Sequence, residues 1–376
     1  MIRTVLVWLL AASAAGACPF CGPVGRSLAA RRDAADAVLI GSVSGPAARA
    51  ADGLLVQPLT PVADLRGTPQ VPADVVECRV AEPITGTGIL FGSRSPDGLR
   101  WEAIAADEAL IAHVAAAPAV EEPAARRLRW FAGRLEHANP AIAADAFTEF
   151  GLAPFTAVRE VADVFDATRL QVWLTADGID RRRRGFYGLA LGLALGLASR
   201  SADEATREVA TAALHAAVES PGDDLRTGYD GILAGVLTAE DEAGLGYLRG
   251  RGLFAADTRP GDAKHALAAL RFAWECLGEA ISRDRIAEAT AGLLDNAAVA
   301  ADAAIDLARY ERWDEVDRVA ALWPSLGRDD PLVRRAVAGY LEACPLPAAR
   351  NHRERLAAAD PAAWTAAQAA AAGPGR

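Results

Sequence analysis

The apolar residues of this chain follow one rhythm up to about residue 105 and another beyond it. In the first stretch they come in short runs bounded by turn formers. The segment ADAVLIGSVSG, from Ala35 to Gly45, is a β-branched and aliphatic run that predicts a strand. Between Asp74 and Ala81, Val76, Cys78 and Val80 alternate with polar residues, which predicts a second. GILFG, from Gly88 to Gly92, and the segment Leu99 to Ile104 flank the turn Ser95-Pro96-Asp97-Gly98. Residues 47–68 carry scattered Gly, Pro and Asp with only short apolar groups, so a loop or an irregular hairpin is expected there. Four or so short strands with no helix between them predict a small β-rich domain, a sheet or barrel, over residues 18–105.

Beyond Asp107 the apolar positions recur every three to four residues. DEALIAHVAAA places acidic residues in a first helical turn, and Leu128, Phe131 and Leu135 share one face of the next segment. Asn139-Pro140 reads as a cap and a first-turn proline, Pro154 opens another helix, and Asp166 opens RLQVWL. Similar pieces follow, among them GFYGLALGLALGLA, YDGILAGVL, HALAALRFAWECL, PLVRRAVAGYL and AAWTAAQAAAA. Short amphipathic helices separated by Pro, Gly or Asp favour a stacked solenoid over a closed bundle. The fold expected is therefore mainly α: a HEAT-like helical solenoid over 106–360 after a small β-rich, OB-like barrel domain. Residues 361–376 are expected to hold a C-terminal helix end and an Ala/Gly/Pro-rich tail.

The N-terminus adds an address. MIRTVLVWLLAASAAGA has one charge, Arg3, an apolar stretch from Val5 to Leu10, and small residues before Cys18, the layout of a cleaved export signal over 1–17. The stretch is shorter than the roughly 20 residues that a membrane span needs. A periplasmic or extracellular mature chain starting at Cys18 is expected, with lipid anchoring at Cys18 as the alternative. Net charge is −10, which argues against nucleic acid as a partner because no positive field collects phosphates. The abundant Ala reads as helix propensity more than as a large core.

Five cysteines are too few for a disulfide-built fold, although export permits disulfides. Cys18 with Cys21, or either with Cys78, is the expected pairing, and Cys18-Pro19-Phe20-Cys21 also has dithiol redox spacing. GSVSG, from Gly41 to Gly45, is no nucleophile elbow because Val43 stands at its centre. His113, His137, His215, His265 and His352 fall on separate segments with no HExxH pattern. Asp223-Asp224 and Asp329-Asp330 precede apolar helices, where capping explains paired acids. No catalytic residue, metal site or cofactor is implied. The run Arg181, Arg182, Arg183 and Arg184 stands at the N-terminal entrance of a helix, against its dipole. It either pairs with acids of a neighbouring helix or contacts an anion or partner. In the helix it opens, Gly188, Gly192 and Gly196 line one face and permit close approach of a second helix.

The CPFC pair after the leader, the ADAVLIGSV strand, GILFG before Trp101, RRLRWFAGRLEHANPAIAADAFTEF, RRRRGFYGLALGLAL and DGILAGVL together resemble a family of secreted, planctomycete-type proteins with HEAT-like repeats and no established function. The N-terminal segment is similar to netrin-like and metalloproteinase-inhibitor domains, which are OB-type barrels. That resemblance implies that Cys18 could chelate a protease zinc through its amine and carbonyl. The chain departs from it in having CxxC in place of CxC and in lacking the further paired cysteines. The function expected is a non-enzymatic, extracytoplasmic protein-binding or scaffold role toward another exported or cell-envelope protein. Modulation of an exported metalloprotease and thiol-redox chemistry by the CPFC pair are the alternatives.

Overall fold

The computed structural model describes residues 25–65, 74–96, 98–198, 204–221 and 226–372. The chain forms two compact units, one ending at Val164 and the other beginning at Phe165.

The first unit opens with a short helix α1 (Leu28–Ala34), whose N-cap Ser27 accepts the amide of Ala30. Six strands follow: β1 (Ala37–Val43), β2 (Ala48–Arg49), β3 (Leu55–Asp64), β4 (Val76–Val80), β5 (Thr87–Ser95) and β6 (Gly98–Ala105). Their order is β1-β5-β6-β4-β3, and β3 pairs back onto β1, so five strands close a barrel while β2 only extends the β3 hairpin. Every pairing is antiparallel except β4 with β6, which is parallel. This closed five-strand barrel is OB-like.

Residues 47–68, expected as a loop or irregular hairpin, contain the longest strand of the barrel, β3. Two prolines disguise it. Pro61 faces Gly41 beside the register shift between Ile40 and Gly41, the kind of irregularity where a strand tolerates proline.

Alternation sorts the strand residues into two cores. Leu39, Leu59, Cys78, Leu90 and Trp101 fill the barrel interior. Val38, Ile89 and Phe91 point outward and are buried by α2 (Glu108–Ala116) and α4 (Pro140–Leu152) after the barrel, and α3 (Ala124–Ala132) and α5 (Phe155–Glu160) complete the unit. Leu110 and Val114 of α2 and Ile142 of α4 make that contact. Buried polar groups tie the same layer together. The Arg32 guanidinium donates to the carbonyls of Val114 and Ala117 at the end of α2. The Leu28 amide donates to Asp145 on α4 at 2.6 Å, and the other oxygen of Asp145 pairs with His113 Nε2 at 2.9 Å.

The second unit is helical: α6 (Ala167–Thr175), α7 (Arg181–Ala198), α8 (Glu204–Glu219), α9 (Tyr229–Gly250), α10 (Pro260–Cys276), α11 (Arg283–Gly292), α12 (Ala300–Arg309), α13 (Val316–Ala321), α14 (Pro331–Ala343), α15 (Pro347–Ala359) and α16 (Pro361–Ala372). The side chains of α7 from Phe186 to Leu195 are buried on every face, and the helix packs against α6, α8 and α9. Its glycines meet α9 as the spacing predicts: a Cβ on Gly188 would fall 2.7 Å from Cα of Ile232, and one on Gly192 would overlap the carbonyl of Gly235. Close packing of two backbones replaces side-chain interdigitation along this seam.

Helix α9 is two helices across a sharp bend. Asp241 sits at φ 53°, ψ −125°, and a Cβ on Gly244 would come 2.7 Å from the Val236 carbonyl eight residues earlier, so the chain folds back on itself. Among the described residues no helix is long and apolar enough to cross a membrane.

Candidate functional site

Cys18 and Cys21 lie outside the described residues. Cys78 is fully buried inside the barrel, with Sγ directed at the Val76 carbonyl at 3.9 Å. Burial, with the neighbouring Glu77 charge, pushes its thiol up to about 12 from an ordinary 9.0. The expected disulfide is corrected accordingly: among the described residues, Cys78, Cys276 and Cys344 make no disulfide. A thiol packed among Leu39, Leu59 and Leu90 acts as a small apolar side chain, the opposite of a stabilised thiolate.

The histidines are held by side chains or backbone near them. His113 pairs with Asp145, His215 with Glu240 at 2.6 Å, His265 with Asp230 at 3.6 Å and His352 with Asp317 at 2.6 Å, while His137 accepts the Asn139 amide. Among the described residues no group of three or more His, Cys, Asp or Glu could hold a metal ion. Asp330 caps α14 by accepting the Leu332 amide, as read from the sequence, whereas Asp223 and Asp224 lie outside the described residues.

The arginine run divides. Arg182 points outward and pairs with Asp180 at 2.8 Å, and its guanidinium holds the Asp180 carboxyl below the usual carboxylate range. The two ends of the run line a cavity. Arg181 and Arg184, one helical turn apart on α7, line a space of about 330 Å³ together with Arg226 and Tyr229 from the start of α9. The ends of α6 and α8 supply the remaining wall, with Asp177 the one acid among the described lining residues and Leu174, Ala217 and Ile232 among its apolar members.

Two of these arginines do structural work at helix ends. Arg184 donates to the carbonyl of Ala176 at the end of α6. Arg226 donates to the carbonyls of Val218 and Ser220 at the end of α8, pairs with Asp262 at 3.2 Å, and lies 3.4 Å over the Tyr229 ring. Cationic side chains satisfying the last carbonyls of a helix are a common ending. Nε of Arg184 is itself buried with no hydrogen-bond partner. The sequence singled out Arg181 to Arg184 by their charge. It gave no sign that Arg226, more than forty residues on, belongs to the same wall.

The chain thus belongs to the class that joins a small OB-like barrel, wrapped by its own helices, to a mainly helical unit. Comparison with protein-family profiles, with curated proteins and with solved structures found no match.

Proposed function

We propose that this is a non-enzymatic, exported binding protein whose second unit is a HEAT-like helical array presenting a surface to another exported or cell-envelope protein. The observation that carries the reading is the packing order of that unit. Helices meet the next and the next but one in the chain: α6 with α7 and α8, α7 with α9, α12 with α14, α14 with α15 and α16. Stacking of this kind builds extended surfaces out of neighbouring steps. Ion pairs bridge successive steps, as in Glu242 with Arg285, Asp306 with Arg271, Asp284 with Arg312 and Asp295 with Arg318. Apart from the pair to the buried Asp306, these are exposed and add little stability, so register between helices is the better account of their number. The leader pattern over 1–17 and the resemblance to secreted HEAT-like repeat proteins support export.

The test is crosslinking of the full chain in its own cell envelope, followed by mass measurement. A discrete heteromeric species that is lost when the chain is cut after Val164 supports the reading. A species retained by the shortened chain moves binding to the barrel unit, and the absence of any discrete species overturns it.

The strand order of the barrel favours a second reading, modulation of an exported metalloprotease by the first unit, with Cys18 as the residue the resemblance assigns to zinc chelation. Here the mature chain should inhibit an exported zinc endopeptidase, and acetylation of the Cys18 amine should abolish the effect. Inhibition that survives acetylation would remove zinc chelation as the mechanism.

A further inference from the structure

We draw no further inference here: the strongest candidate, the cavity of about 530 Å³ that Leu195 and Gly196 at the end of α7 line with Arg207 and Thr211 of α8 and Asp241 at the bend of α9, carries nothing because residues 199–203, which join α7 to α8, lie outside the described residues and the buried, unpartnered Nε of Arg207 does not by itself make a ligand site.

Discussion

Asp145 is a buried acid on α4 whose two oxygens serve two other elements, the amide that begins α1 and the imidazole of His113 on α2. Removing it would leave two buried polar groups without partners, and uncompensated burial of that kind costs more than the bonds contribute when made. D145A should therefore lose about 3 kcal/mol in urea unfolding. D145N should lose much less, since an amide can accept from Leu28 and donate to a neutral imidazole. Trp130, whose ring lies 5.1 Å from that of His113, gives a local fluorescence readout, and equal losses in the two variants would show that only the charge matters. Cys78 supplies a pH dependence. Its folded pKa is raised, so its contribution is fully present below the ordinary thiol value of 9.0 and is lost as pH climbs toward about 12, where the unfolded chain ionises and the folded one resists. The stability advantage of the unaltered chain over C78A should shrink between pH 9 and pH 11 in denaturant titrations, and a constant difference would contradict the burial argument. At this scale the sequence spoke clearly about capping and poorly about burial. Asn139, Asp166 and Asp330 cap the helices they precede, and Asp107, read as a first-turn acid, is the cap of α2, because a cap depends on residues two or three positions away. Asp145 reads only as a polar interruption of an apolar face, since its partners lie 32 and 117 residues off.

At the scale of elements the glycine-lined helix was the most legible feature, because a spacing of four on an apolar helix has few other uses. Its seam with α9, set against the exposed end of α9, gives two substitutions of the same kind opposite signs. G192A pushes a methyl into the backbone of Gly235 and should cost about 2–4 kcal/mol, or force the helices apart. G246A adds a methyl in open space on an exposed helical position and should gain about 0.5–1 kcal/mol through helix propensity. Thermal unfolding of both variants decides it, and a G192A protein as stable as the parent would mean that α7 and α9 are not in backbone contact. Asp241 makes a related case at the bend of α9. A residue with a Cβ is strained at φ 53°, and burial pushes its carboxyl up as well, so D241G should raise the melting temperature by a few degrees while D241A should not. The elements missed from sequence share one cause, a weak or interrupted period. Strand β3 is broken by Pro58 and Pro61, and α15 buries only Ala349 and Leu356 along thirteen residues. Helix α1 is seven residues long, too short for a period to register.

For the molecule as a whole, the change of period near residue 105 marks where strands give way to helices, but burial draws a different line. The outward face of β1 and β5, with Val38, Ile89 and Phe91, is covered by Leu110, Val114 and Ile142 from helices beyond that point. Arg32 and Leu28, ahead of the barrel, spend their hydrogen bonds on α2 and α4. A period analysis sees none of this, because each strand and helix is consistent with its own pattern and the contact between them is long-range. Two truncations separate the alternatives. A chain of residues 18–105 leaves large apolar side chains in water and buried donors without acceptors, and should be aggregated or without a cooperative melt. A chain of residues 18–164 retains that covering layer and should give a monomeric, cooperatively unfolding protein by size exclusion and circular dichroism. A sharp melt and a dispersed amide spectrum from the shorter chain would show that the barrel interior alone, with Leu39, Leu59, Leu90 and Trp101, suffices, and that α2 and α4 are additions to a finished domain.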